Sequence, residues 1–341
     1  MTDTELDWTD SQVSDFSELV RQARSVRASK WKQDGIVVAG NDQGTAGDAN
    51  DQLNTPYELA FDTNNQFFYV ADHENGRIQR FPVNNNGDNN TGMTALKIDD
   101  GTASHPWFPD DKRNKPSTIF IDANDNIYVA EMYHPHRILK LSPDKTSSTL
   151  IDTENSVLQS CAGIYVDKQG NIYVSDWQQY AVLKFDKNGE HGEIVAGGNF
   201  FGDGPDQFDH PTGIFVAEKT GNIYIADYLN HRIQRWSPGS KEGVTVCGGN
   251  GAGFDPNQLN HPCSVIVDEE EEYIYIGDSL NARVVRWTVG AKHGEVVVGG
   301  IEKTQESNAL CRVGGIKFDR DGNLYVTDIY RNQIRKYLVD N

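Results

Sequence analysis

The chain has 341 residues, 37% hydrophobic and 10% aromatic, enough for a sizeable core, and carries a formal net charge of -19. Affinity for nucleic acid comes largely from Lys and Arg displacing counterions, and adsorption to anionic lipid needs basic clusters, so this acidity argues against both partners. Nor does any segment approach the roughly 20 apolar residues of a membrane span.

In chain order, Val13, Phe16, Val20 and Ala23 fall on one helical face, and Thr9 with Gln12 makes a capping box. These predict a short helical extension over residues 1–33, without the apolar run of a signal peptide. Gly35-Ile36-Val37-Val38-Ala39-Gly40 then reads as a strand with no turn partner nearby. From there to Asn341 one phrase recurs: a tyrosine, an acid three residues later, and a basic residue about eight further on. The acids are Asp72, Glu131, Asp176, Asp227, Asp278 and Asp328, spaced 59, 45, 51, 51 and 50 residues apart. The following basic residues are Arg80, Lys140, Lys184, Arg235, Arg286 and Lys336, each before a large apolar side chain.

The fourth repeat shows the unit. Pro211 to Val216, Ile223 to Asp227, Arg232 to Trp236 and Val244 to Cys247 are short β-branched or aromatic runs bounded by Gly, Asn and Pro. Four antiparallel strands per repeat, repeated six times, predict an all-β, six-bladed β-propeller over residues 34–341. The chain ends soon after Tyr337, so the last blade lacks an outer strand. The orphan phrase at 35–40 matches Ile194-Val195-Ala196-Gly197 and is expected to close the ring, covering an open edge. Cys161, Cys247, Cys263 and Cys311 are too far apart for a small disulfide framework or a CxxC pair, and read as thiols of a reducing, cytoplasmic compartment.

Pro211-Thr212-Gly213-Ile214, Asn222-Ile223-Tyr224-Ile225-Ala226-Asp227 and Asn230-His231-Arg232-Ile233-Gln234-Arg235-Trp236 together resemble the NHL repeat. The resemblance recurs in six registers and implies a six-bladed propeller. It implies no single activity, because propellers of that family include RNA binders, protein-interaction modules, sensor domains and a metal-dependent amidating lyase. Lyase-like relatives place metal-binding histidines just after the strand-opening proline. Here those positions hold Tyr57, Ser117, Ala162, Thr212, Cys263 and Gly314, so that site does not carry over. Lactonase-like propellers hold calcium at the mouth, and among the comparable positions only Glu58 is an acid, too few for a cation wanting six to eight oxygens. His210 and His261 precede prolines in adjacent blades, but two histidines make a poor zinc site. No metal and no cofactor is expected.

The crossings between blades and the turns after the repeated acids lie at one end of the ring. The repeated Tyr, Asp and Arg are read as scaffold, the Asp accepting backbone N–H bonds in the following turn and the Arg pairing with it or with a neighbouring blade. Residues that the repeat does not fix are the better candidates for recognition. Tyr133, Trp177, Tyr228 and Tyr330 are expected to form an aromatic rim, with His73, Glu74 and Glu58 as polar neighbours. The expected function is a binding scaffold for a protein or peptide, a basic one by charge steering. The alternative is a metal-dependent lyase or hydrolase acting on a small molecule at the channel mouth, with Glu58 and His73 as its polar groups.

Overall fold

The structure, a computed structural model, describes residues 30–85, 87, 90–98, 115–131, 138–144, 148–151, 158–268, 270–300 and 309–340. The helix read over residues 1–33 lies outside these but for its end, where Lys30–Trp31 form a strand antiparallel to Val339–Asp340.

Six four-stranded antiparallel sheets make the six blades of the propeller. Blade 4 consists of Pro211–Val216, Ile223–Asp227, Arg232–Trp236 and Val244–Gly248, from the axis outward. Its second strand is buried along its whole length, because neighbouring blades cover both faces, and this accounts for its unbroken apolar run. Val244 on the outer strand is 55% exposed. The turn between the first two strands relies on Gly221 at φ 72°, where a side chain would be strained.

Apolar layers lie between blades rather than within them. Tyr224, Ala226 and Ile233 of blade 4 pack against Val265, Val267, Ile274 and Ile276 of blade 5. Burying one such aliphatic side chain contributes about 1.5–3 kcal/mol, so the ring is held mainly by these seams. The last seam is closed by Ile36–Ala39, which pairs with Gln333–Tyr337 in the register Ile36 to Lys336 and Ala39 to Ile334. Trp31 adds a buried side chain whose Nε1–H donates to Gly322 O at 2.9 Å.

The repeated acids are fully buried, and Asp72, Asp176, Asp227, Asp278 and Asp328 each tie a crossing segment to their blade. Asp227 accepts the backbone N–H of Asp209 (2.7 Å), Asn230 Nδ2 (2.9 Å) and Arg232 Nε (2.7 Å). Arg232 then donates to the carbonyls of Asp203, Gly204 and Gln207. Asp72 with Arg77 and Asp278 with Arg283 repeat the arrangement. In these three blades the backbone donor comes from the preceding crossing, not from the following turn. Asp176, in a blade where Ala181 stands in place of the arginine, accepts the crossing N–H groups of Gln159 and Ser160 and also the turn N–H groups of Gln178 and Gln179.

At the axis, the first strands are joined by side chains that donate to the opening carbonyl of the next blade. Ser117 Oγ reaches Cys161 O (2.8 Å), Thr212 Oγ1 reaches Pro262 O (3.3 Å) and Cys263 Sγ reaches Val313 O (3.1 Å). First strands also carry a register shift just after their opening residue, as at Pro211/Ile214. Such bulges turn side chains toward the rim.

Candidate ligand site at the channel mouth

Backbone bonds between crossings and turns fix the surface of the mouth. Trp177 N–H donates to Ser160 O, Leu229 N–H to Asp209 O, and Ile329 N–H to Arg312 O. On this frame the structure brings together Trp177, Tyr228 and Tyr330 from three blades. The rings of Trp177 and Tyr228 are 5.5 Å apart. Arg312 then links Tyr228 to Tyr330, its Nη2 donating to Tyr228 Oη (3.2 Å) and its Nη1 to Tyr330 Oη (2.8 Å). Its guanidinium also lies 5.1 Å from the Tyr330 ring centroid. Tyr133 lies outside the described residues.

The arc continues through imidazoles. His210 meets Trp177 edge-on at 4.5 Å and Tyr180 at 5.5 Å. His261 meets Tyr228 at 4.6 Å and His231 at 4.6 Å. Thus His210 and His261 are bridged by aromatic rings rather than paired as ligands of one ion. Both stand immediately before a strand-opening proline at positive φ, 60° for His210 and 57° for His261. That conformation is costly for a residue with a Cβ and is held by the hydrogen bonds around it. His210 Nδ1 lies 2.5 Å from Asp209 Oδ1, and His261 Nδ1 lies 2.7 Å from Asn260 Oδ1. His231 Nδ1 accepts the backbone N–H of His261. Burial lowers both His231 and His261, and for His261 the neighbouring His231 and Arg312 act in the same direction. Burial raises the Tyr228 hydroxyl, with Arg312 opposing, so it stays a neutral phenol.

Two donors on this surface lack a protein acceptor among the described residues. Arg312 Nε is buried without one, and no carboxylate among the described residues pairs with that guanidinium. Trp31, Trp236 and Trp287 each donate their indole N–H to a backbone carbonyl. Trp177 makes ring contacts but no such bond to any of the described residues.

The polar neighbours read from the sequence are engaged elsewhere. His73 is 2% exposed; its Nδ1 lies 3.0 Å from Pro116 O, and its ring packs edge-on against Tyr57. It thereby does for blade 1 what Ser117 and Thr212 do for theirs. Glu74 pairs with Lys115 at 2.9 Å, and Glu58 with Lys317 at 3.3 Å. Burial pushes the Cys263 thiol up to about 12, and its sulfur faces the Val313 and Gly314 carbonyls. Arg312, Asp209 and His231 were not among the residues singled out from the sequence. The available signal was an arginine and an Asp-His pair in crossings where the repeat specifies neither.

Among the described residues, the one group of three His, Cys, Asp or Glu ligands within reach of a single ion is Asp186, Glu190 and His191. It lies on the turn between the third and fourth strands of blade 3, at the opposite end from the mouth. The Asp186 carboxyl is held below its ordinary range by the Glu190 backbone N–H and the His191 side chain, the bonds of an exposed turn. The described residues of the mouth therefore do not fit a metal of the lyase or lactonase kind.

Residues 208–236, the fourth-blade segment, match the family model of the NHL repeat. A peptidylglycine alpha-amidating monooxygenase of Rattus norvegicus is 27% identical over 193 residues, which is 52% of this chain and 20% of that protein. The chain thus spans about a fifth of the length of that curated relative. Among solved structures, a protein of unknown function from Bacteroides thetaiotaomicron superposes with a TM-score of 0.69 at 14% identity, over 91% of this chain and 77% of the other. A gluconolactonase of Xanthomonas campestris superposes with a TM-score of 0.61 at 13% identity, over 92% and 97%. At these identities the superpositions speak for the fold alone.

Proposed function

For this chain, a six-bladed β-propeller with NHL-repeat homology, we propose that the mouth end is a binding site for a carboxylate-bearing ligand. The observation that carries the reading is Arg312, a guanidinium with no carboxylate partner among the described residues of a chain of net charge -19. A buried donor without an acceptor costs free energy that an anion recovers, and the guanidinium fork matches a carboxylate. Trp177 and Tyr228 supply a flat apolar wall beside it. The mouth thus favours an anionic group locally, against the basic partner that net charge alone suggests.

Two sources of that carboxylate fit, a polypeptide C-terminus and a free small acid. Exposed Phe201, Leu229, Leu280 and Tyr330 on the same end give a polypeptide further contact area. A relative named for peptidylglycine adds weight to peptide ends. Calorimetry with an aromatic hexapeptide, its C-terminal amide and 3-phenylpropionate tests both. Binding of the free peptide acid alone identifies a polypeptide end, and binding of both acids identifies a general carboxylate site. In either case Arg312→Gln should weaken affinity at least about tenfold, the loss of one charge-assisted bond. The reading fails if the amide binds as tightly as the acid, or if neither acid binds.

A second reading, chemistry performed on the bound molecule, is favoured by the imidazole of His210 held against the Asp209 carboxylate. The metal-dependent form of that reading finds no support in Glu58 or His73, which the frame already uses.

A further inference from the structure

We propose that Asp209, His210 and Trp177 form a metal-independent hydrolytic site for small esters that carry a carboxylate, an inference that rests on Arg312 as the carboxylate anchor. The fold supplies its own comparison. His210 and His261 occupy the same place in adjacent blades, with the same positive φ and Nδ1 against the side-chain oxygen of the preceding residue. At His261 that oxygen belongs to the neutral amide of Asn260; at His210 it belongs to the Asp209 carboxylate. A carboxylate on Nδ1–H fixes the tautomer with Nε2 as the base and stabilises the imidazolium formed when Nε2 takes a proton; an amide does only the first.

The backbone of Asp209 is fixed at both ends, its N–H on Asp227 Oδ1 (2.7 Å) and its carbonyl on the Leu229 N–H (3.1 Å). The pair therefore stands on the scaffold rather than on a loose loop. Edge-on to His210 lies Trp177, whose indole N–H has no acceptor among the described residues and is a ready donor for a developing oxyanion. The same indole touches Tyr228, and Tyr228 touches Arg312, so base, donor and anchor follow one another along one continuous surface.

The reaction consumes water and needs no other co-reactant. His210 Nε2 takes a proton from water as the water oxygen bonds to the ester carbonyl carbon. The carbonyl π pair moves onto its oxygen, which accepts the Trp177 N–H. On collapse that pair re-forms the C=O bond, the bond to the alcohol oxygen breaks, and the leaving oxygen takes the proton from His210. The products are an acid and an alcohol, and the protein returns to its starting state.

The test uses mono-4-nitrophenyl glutarate, with 4-nitrophenyl butyrate as the uncharged counterpart and glutarate binding measured separately by calorimetry. Wild-type protein should hydrolyse the glutarate ester with saturation and prefer it to the butyrate. His210→Gln should lower kcat on the order of 100-fold or more with KM held, the usual share of a general base. Asp209→Asn, which keeps the shape of the side chain, should lower kcat at unchanged KM, and Trp177→Phe should do the same more weakly. Arg312→Gln should raise KM, and His191→Gln, at the other end of blade 3, should change nothing. If glutarate binds but its ester is not turned over, or if His210→Gln is as fast as wild type, the hydrolytic inference is wrong and the carboxylate site stands. If glutarate does not bind, the hydrolytic inference falls, and the carboxylate site falls with it only if the peptide acid does not bind either.

Discussion

Asp328 Oδ1 accepts the backbone N–H of Arg312 at 3.1 Å, so the repeated acid of the sixth blade also sets the guanidinium of the mouth. The same carboxylate accepts the Cys311 N–H at 3.0 Å and faces Arg331 and Arg335 at 3.9 and 4.0 Å. Scaffold and site thus share one buried anion. Asp328→Ala should cost about 3–5 kcal/mol of unfolding free energy, the range for removing one partner of a buried charged cluster. Urea denaturation measures this. A loss below about 1 kcal/mol would mean that the blade holds its crossing without the acid.

Ring closure depends on four residues from the start of the described chain. Removing residues 1–40 strips Ile36–Ala39 from Gln333–Tyr337 and also removes Trp31, which is buried against Tyr275 and Phe318. The exposed strand edge is a template for pairing with other chains. The truncated protein should melt well below the full chain and self-associate in sedimentation. Trp31→Ala alone should cost about 3–5 kcal/mol, as for other buried tryptophans. A truncation that melts with the full chain and stays monomeric would contradict this account of closure.

The blades were legible because each needs the same buried acceptor, second-strand tyrosine and turn residues, so the requirement is written six times. Trp177, Tyr228 and Tyr330 were legible as departures from that repeat in positions facing one end. Arg312 was not, because its partners Tyr228 and Tyr330 lie 84 and 18 residues away and no local pattern marks it. What His73 and Glu58 contact was not legible for a related reason. A polar residue near the axis serves either a ligand or a neighbouring blade, and only the position of Pro116 O or Lys317 decides which. The Asp209–His210 pair was visible as letters, but its hydrogen bond depends on a left-handed backbone before proline, which residue type alone disfavours.

Acidification should act through the mouth histidines. Burial lowers His231 and His261 from the ordinary value near 6.5, so the unfolded chain binds protons more readily than the folded one. Their contribution to stability is present above the unfolded value and is lost as pH falls through the folded one. The melting temperature should therefore drop between pH 7.5 and 5.5 by more in wild type than in a His231→Gln, His261→Gln double variant. Asp227, Asp278 and Asp328 act in the opposite sense: burial raises each, so their contribution grows as pH falls through the raised values toward the unfolded one. Comparing the two proteins at each pH cancels that background. Equal drops in both would remove the histidines as the cause.

Trp177→Ala separates recognition from folding more cleanly than any other change at the mouth. The indole is partly exposed and packs on the rings of His210 at 4.5 Å and Tyr228 at 5.5 Å, while its backbone N–H bond to Ser160 O survives the substitution. Being partly exposed, it should cost less in stability than the buried Trp31, where the removed ring leaves a cavity and an orphaned carbonyl at Gly322. In binding the order reverses. An aromatic wall beside a charged anchor is where contact energy concentrates, and losing it typically costs 2 kcal/mol or more, about 30-fold in affinity. Thermal melts and carboxylate calorimetry on the Trp31→Ala and Trp177→Ala proteins should therefore rank the two changes in opposite orders. If Trp177→Ala binds the acids as wild type does, the apolar wall of the ligand site lies elsewhere on the ring.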